Sequence, residues 1–357
     1  MNAERVKILF TGGGSAGHVT PNLALMDEAG RRGFETVYVG SADGIEREIV
    51  GRTDVAYRVI RSGKLRRYFS WQNFIDPFNV LIGVIQAMFV VLRERPDVVF
   101  SKGGFVAVPV VLAAWVFRIP VVCHESDIVP GLANRLCQPF SRLMCVNFPE
   151  TAAYLKRRRV EVTGTPLRDG IVDGNAASAR ARLGIADDRR VLLAFGGSLG
   201  AARINAAVAD AFEALADRYD VIHVTGEECA RAARPGYHPF AYVHEGFGDL
   251  LALADVIVSR AGANSLYELL VLNKPHVLVP LPATSSRGDQ LVNADVMARG
   301  GYSVVVADED LDATTLIESV RRVEADRAGI MAALETFPAH LDGAVRVVDL
   351  LAAAARR

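Results

Sequence analysis

At 357 residues the chain is too long for one ordinary hydrophobic core and points to two domains. Apolar residues make up 51% and charged residues 23%, the composition of a globular protein rather than a disordered one. Lys plus Arg total 40 against 41 Asp plus Glu, a formal net charge of -1, which argues against a nucleic-acid-binding protein with its usual basic excess.

The first elements form a βαβ opening. Lys7–Thr11 reads as a strand that runs into the glycine turn Gly12-Gly13-Gly14-Ser15-Ala16-Gly17-His18. A helix is expected from about Pro21 to Arg31, ended by Gly33, and Thr36–Gly40 is the next strand. Gly12, Gly14 and Gly17 have dinucleotide-fingerprint spacing, but the second strand ends Val39-Gly40-Ser41 with no acid for a ribose. Asp43 lies past it, so nicotinamide binding is not the preferred reading. His18 stands at the mouth of this turn, at a strand end where open α/β sheets place their chemistry. A structural histidine is the competing reading.

Residues 63–79 mix basic and aromatic side chains, including Lys64, Arg66, Arg67, Tyr68, Phe69, Trp71, Phe74 and Phe78. Asp76-Pro77 looks like an N-cap and first helical residue, starting a helix over Phe78–Leu92 that is apolar on nearly every face. Such a helix is either buried or docks on a membrane interface, with Ile75 and Ile82 on the same stretch. Its apolar run, Val80–Leu92, is too short to span a bilayer. The start of the chain lacks a signal-peptide pattern. A second basic run, Lys156-Arg157-Arg158-Arg159, is read as a solvated face or a membrane surface.

Strands follow at Pro96–Phe100, Pro120–Cys123 and Leu143–Val146. The first leads into Ser101-Lys102-Gly103-Gly104 and a helix over Val108–Phe117. The second ends in the polar cluster His124-Glu125-Ser126-Asp127, with Pro130–Arg135 turning into a helix that carries Asn134. The cysteines, Cys123, Cys137, Cys145 and Cys229, show no zinc spacing and read as buried free thiols of a reducing compartment. Gly164-Thr165-Pro166-Leu167-Arg168 closes this half, and residues 169–189 read as a linker with one helix.

The pattern then restarts. Val191–Phe195 is a strand leading to the glycine turn Gly196–Ala201, with Ser198 inside it, and then a helix over Ile204–Leu215. Further strands are expected at Val221–Val224, Ala241–His244, Val256–Ser259, Val277–Pro280 and Ser303–Val306. Leu281–Gln290 reads as a loop before a helix over Leu291–Arg299. The chain ends in an alanine-rich helix, Gly343–Arg357. Asp308-Glu309-Asp310 has a D-x-D spacing, better read as a surface turn with N-cap acids than as a metal site. No metal and no cofactor are expected.

The most telling stretch is Ala254–Glu268. A strand feeds Arg260-Ala261-Gly262 and then a helix from Ala263, so unpaired N–H groups and the helix dipole favour an anion there. Glu268 lies about 6 Å along the axis from Asn264, on the same face. An ionised carboxylate accepts two hydrogen bonds, which suits neighbouring ribose hydroxyls. The competing reading is a capping box, Ser265-x-x-Glu268, that only starts the helix.

Taken together, TGGGSAGHVTP at 11–21, HESDIVPGLANR at 124–135, GTPLR at 164–168, FGGSLGAARIN at 195–205, SRAGANSLYE at 259–268 and SRGDQLVNA at 286–294 resemble the MurG family. The HESD and SRGDQ forms are closer to its Gram-positive members than to the HEQN form of proteobacterial ones. The resemblance implies a GT-B fold: two Rossmann-like, doubly wound α/β domains facing a cleft. The expected division is 1–163 plus 343–357 for the acceptor and membrane, and 164–342 for UDP-GlcNAc. It implies an inverting transferase that moves GlcNAc from UDP-GlcNAc to the MurNAc 4-hydroxyl of lipid I, forming lipid II at the cytoplasmic face of the membrane. Its partners would be UDP-GlcNAc, lipid I, an anionic membrane surface and other cell-wall synthesis proteins.

By motif, the resemblance gives Glu268 the ribose. Gly262, Ala263, Asn264 and Ser265 go to the diphosphate, with help from Ser198 and Arg168. Phe247 flanks the uracil and Gln290 reads the GlcNAc. Gly13, Gly14, Ser15, Ala16 and Gly17 reach toward the sugar and acceptor, with Asp127 and Asn134 as further contacts. His18 is the first choice for the base and Glu125 the second. The alternatives are a UDP-GlcNAc 2-epimerase, a glycolipid synthase with a diacylglycerol acceptor, and a non-catalytic UDP-sugar-binding subunit.

Overall fold

A computed structural model of the chain describes residues 6–63, 72–155, 159–168, 170–196, 201–226 and 232–356, with 72–78 as backbone only. The chain divides into two compact units, Met1–Arg168 with Asp342–Arg357, and Asp169–Leu341.

The first unit is built on a parallel sheet of β1 (Lys7–Thr11), β2 (Glu35–Gly40), β3 (Ala56–Val59), β4 (Val98–Ser101), β5 (Val121–Glu125), β6 (Leu143–Val146) and β7 (Arg159–Val162). Their order is β3-β2-β1-β4-β5-β6-β7. The central strands are near-continuous apolar runs, as a parallel sheet covered on both faces requires: Ile8, Leu9, Phe10, Val99 and Val122 are all fully buried. Helices α1 (Ala16–Arg31), α2 (Ile45–Val50), α3 (Gln72–Glu94), α4 (Ala107–Val116) and α5 (Leu132–Cys137) connect the strands. The last helix of the chain also belongs to this unit. Its Val347, Val348 and Leu351 are buried in one cluster with Ile8, Phe10, Leu25 and Val98. Arg32 binds Asp349 at 2.5 Å on the rim of that contact.

The second unit repeats the plan. It contains β8 (Arg190–Phe195), β9 (Tyr219–Val224), β10 (Tyr237–Phe240), β11 (Val256–Ser259), β12 (His276–Leu278) and β13 (Val304–Val305), in the order β10-β9-β8-β11-β12-β13, again parallel. Its helices are α6 (Ala176–Leu183), α7 (Ala202–Ala216), α8 (Phe247–Leu253), α9 (Ala263–Val271), α10 (Asp289–Arg299), α11 (Ala313–Ala325) and α12 (Arg327–Thr336), and the chain then returns as α13 (Gly343–Ala355).

In each sheet the strand order reverses once, between β1 and β4 and between β8 and β11. Ligands of open α/β sheets bind beyond the strand carboxyl ends at that switch point. Among the described residues, the glycine-bearing turns 12–15 after β1, 103–104 after β4 and 260–262 after β11 fall there.

Several elements differ from the sequence expectation. Helix α1 starts at Ala16, five residues before Pro21, so His18 sits in its first turn rather than on a loop. Helix α3 starts at Gln72, so Asp76-Pro77 lies inside it and does not open it. The edge strands β3 and β7 are additional to the expected ones. They are short and half-exposed, with Arg58, Arg159 and Glu161 breaking any apolar run. The strand expected at Ala241–His244 is instead β10, four residues earlier. The segment expected as a linker packs into the second core through Ile171 and Ala179. Its helix α6 is capped by Asn175, which accepts from Ser178 N–H, and ends at Gly184 with φ 66°.

Candidate active site

At the first switch point two glycine turns press together. Gly14, Gly103 and Gly104 have φ of 85°, 91° and 83°, where only glycine is at ease. A Cβ on Gly104 would lie 2.2 Å from the Gly13 carbonyl oxygen, so the turns after β1 and β4 meet backbone to backbone. Behind Gly13 stands Glu46, a buried acid that the sequence did not single out. Its carboxylate accepts from Gly14 N–H at 3.2 Å, Ser41 N–H at 3.1 Å and Ser41 Oγ at 2.5 Å. A carboxylate thus occupies a glycine-loop N–H that a dinucleotide diphosphate would need, a physical reason why the fingerprint spacing is not a nicotinamide site.

Ser15 is the N-cap position of α1, and Ala16 and Gly17 open its first turn. Ser15 Oγ lies 2.8 Å from His18 Nδ1. When Nδ1–H donates to Ser15, Nε2 carries the basic lone pair of the ring.

At the end of β5 the four polar residues divide their work. His124 is fully buried, and its Nε2–H donates to the Gly164 carbonyl at 2.9 Å, so Nδ1 is an acceptor. Desolvation holds its pKa well below the ordinary histidine value, and the neighbouring Lys102 adds to this. Glu125 is also buried. It accepts from Asp127 N–H at 3.0 Å, Gly131 N–H at 2.9 Å and Asn134 Nδ2 at 2.9 Å. Its oxygens are engaged in closing the loop 125–131. Asn134 is buried below the same loop, with Nδ2 also donating to the His124 carbonyl at 2.9 Å. Asp127 stays partly exposed on the loop.

Lys102, at the end of β4, is the largest surprise. It is 2% exposed, and its Nζ lies 2.7 Å from His124 Nδ1 and 2.5 Å from Ser126 Oγ. Desolvation pushes its pKa down to about 7, against the attraction of Glu125 and Asp127. The folded value lies below the unfolded one, so burying this charge costs stability at and below neutral pH. The cost is relieved as pH climbs from about 7 toward 10.5.

At the second switch point, helix α9 begins at Ala263, as the sequence reading has it, with Gly262 at the N-cap and no side-chain cap. The capping-box reading of Ser265 and Glu268 is therefore corrected: Ala263, Asn264 and Ser265 form the first turn, and Glu268 is a buried carboxylate further along the helix. Gln290 is the second residue of α10 rather than a loop residue. Its Oε1 accepts from Leu281 N–H at 3.0 Å, and its Nε2 would lie 3.8 Å from a Cβ on Gly262, so the structure brings Gln290 and the α9 start together. Phe247 opens α8 and packs edge-on against Phe195 at 5.3 Å, at the end of β8. Beneath β9, Asn205 of α7 donates to the Thr225 carbonyl at 2.7 Å, and its Oδ1 lies 2.9 Å from Nε2 of the buried His223.

Some expectations fall elsewhere. Ser198, Arg66, Arg67, Trp71 and Cys229 lie outside the described residues, as do the side chains of Phe74, Ile75 and Phe78. Arg168 stands at the end of the first unit. Cys123, Cys137 and Cys145 are buried and free. The acids of Asp308–Asp310 are not helix caps. Asp308 pairs with Arg260 at 2.5 Å and with Arg203 at 3.3 Å, while the cap of α11 is Asp312, in a capping box with Thr315.

Residues 8–144 match the glycosyltransferase family 28 N-terminal domain, and residues 191–337 match its C-terminal domain. A Clostridium perfringens UDP-N-acetylglucosamine–N-acetylmuramyl-(pentapeptide) pyrophosphoryl-undecaprenol N-acetylglucosamine transferase is 46% identical over 91% of this chain and 92% of its own. The Clostridium kluyveri protein of the same name is 48% identical over 89% and 91%. The chain belongs to the MurG family. The crystal structure of Acinetobacter baumannii MurG matches with a TM-score of 0.78 at 22% identity, over 98% of this chain and 99% of that one. The fold class is accordingly GT-B, with each unit a doubly wound parallel sheet. Within a MurG-type chain, the turns at the two switch points are the places where substrates are to be sought.

Proposed function

We propose that the protein is an inverting glycosyltransferase that moves N-acetylglucosamine from UDP-GlcNAc to the MurNAc 4-hydroxyl of lipid I, giving lipid II. Family membership over nine-tenths of the chain carries this reading, since the fold alone hosts several chemistries. The α9 start supports it as the diphosphate site. There Gly262 to Ser265 present backbone donors to a leaving UDP, Glu268 takes the ribose, Phe247 the uracil and Gln290 the GlcNAc. In the first unit His18 accepts the proton of the attacking hydroxyl as its oxygen bonds the anomeric carbon and the bond to UDP breaks. Glu125 holds the acceptor loop. The test is consumption of UDP-GlcNAc with and without a lipid I analogue. Release of UDP only when the analogue is present is expected. Conversion to an epimer without acceptor would overturn the reading.

Among the described residues no helix is long and apolar enough to cross a membrane. We assign association with the cytoplasmic face to an exposed stripe on α3: Leu81 at 59% exposure, Ile85 at 48%, Phe89 at 69% and Leu92 at 53%. Trp115 and Val116 of the packed helix α4 are exposed too, as are Arg93, Arg95 and Arg118. Aromatic and aliphatic side chains with an arginine rim suit an anionic interface. Ile85→Asp together with Phe89→Asp is expected to abolish flotation with phosphatidylglycerol vesicles while leaving turnover of a soluble acceptor unchanged. Undiminished flotation would exclude this face.

A further inference from the structure

A buried lysine is costly because its ammonium loses its water, and carboxylates nearby offset only part of that cost. Lys102 carries that cost under the polar loop that follows β5. The titratable groups facing it are His124 of β5, Glu125 and Asp127 of the following loop, and Cys145 of β6. His124 is held neutral, and burial pushes the Cys145 thiol up to about 12, so only the two carboxylates bring charge. On its other flank the glycine turn presents main chain: Lys102 N–H donates to the Thr11 carbonyl at 2.9 Å, and Gly12 faces the Lys102 Cβ and the Asn22 amide. The Tyr38 hydroxyl closes that side by donating to the Gly12 carbonyl at 2.7 Å.

We propose that Lys102 is a positioning residue for the acceptor. From beneath the loop 125–131 its ammonium holds Ser126 and His124 and offsets part of the charge of Glu125 and Asp127, so that an anionic, diphosphate-bearing acceptor is repelled less. The proposal rests on the reading of the first unit as the acceptor-binding one. Both hydrogen bonds survive loss of the proton, because a neutral amine still donates twice. What changes is the charge, from a net of one negative to two on a loop that receives an anion. Acceptor binding and protonation of Lys102 therefore support each other, and acceptor use weakens as pH rises through the lysine's folded value, about 7.

The experiment compares the full-length wild type, Lys102→Met and Ser126→Ala between pH 6 and 9, with a lipid I analogue and UDP-GlcNAc varied separately. The expected wild-type result is a fall in acceptor kcat/KM above about pH 7, with donor KM steady. Lys102→Met is expected to raise acceptor KM about tenfold at neutral pH and to lose the alkaline fall, with donor KM unchanged. Ser126→Ala keeps the charge and is expected to keep the alkaline fall. A lower melting temperature in Lys102→Met with proportional loss toward both substrates would mark a merely structural lysine and overturn the proposal. So would a wild-type profile with no acceptor-specific alkaline limb, which needs no variant to fold. If the wild type fails to use the analogue at all, the functional reading falls instead.

Discussion

His18→Ala is expected to lower kcat by about 10²–10⁴-fold, the usual contribution of a positioned general base, with donor KM changed by no more than about twofold. The argument is geometric. His18 is in the first turn of α1 at the switch point of the first sheet, with Nδ1 fixed by Ser15 Oγ at 2.8 Å. Its partly exposed ring is a small part of the fold, so its removal should leave the melting temperature near wild type. Glu125, the other sequence candidate, gives the contrast. Glu125→Gln turns one of the oxygens that accept from Asp127, Gly131 and Asn134 into a donor facing donors. Loss of such buried partners costs about 1–3 kcal/mol, so stability and activity should fall together. Near wild-type turnover in His18→Ala, or a Glu125→Gln enzyme that is inactive yet fully stable, would exchange the two roles.

The sequence revealed those features whose cause is local. Buried parallel strands such as Val98–Ser101 and Val256–Ser259 are continuous apolar runs, and glycine turns at their ends announce the switch points before any topology is known. What stayed hidden depends on convergence. Lys102 looks like one polar residue in a turn. Only the meeting of β4 with β5 puts its ammonium on His124 and Ser126. Glu46 is separated from Gly14 by a whole helix and strand, so no spacing rule connects them. The edge strands β3 and β7 have one face open and carry charge, which removes the pattern that would expose them. The helix start at Ala263 was legible too, since the strand feeds the small-residue turn Arg260–Gly262; the competing capping box Ser265-x-x-Glu268 falls inside the helix instead of opening it.

That helix start sharpens the second prediction. With Gly262 at the N-cap, Glu268 lies about 7.5 Å along the axis from Ala263, in keeping with a diphosphate at the helix start and a ribose one step further. The proposed function gives its buried carboxylate the ribose. Two hydrogen bonds from ribose hydroxyls to a carboxylate are together worth about 3 kcal/mol, so Glu268→Ala should weaken UDP binding on the order of 10²-fold. Loss of affinity alone would not separate a contact from a distorted helix, and the decisive reading is the sugar. Wild type should prefer UDP over 2′-deoxy-UDP by about tenfold, since one hydroxyl partner is missing in the latter. Glu268→Ala should bind the two equally, because the group that tells them apart is gone. Glu268→Gln, which keeps one acceptor oxygen, should fall between. Calorimetric titration of both nucleotides into the three proteins checks this. If Glu268→Ala still preferred UDP over its deoxy form by the wild-type factor, the ribose would be recognised by another side chain, and the buried carboxylate would have to be explained by the packing of α9 alone.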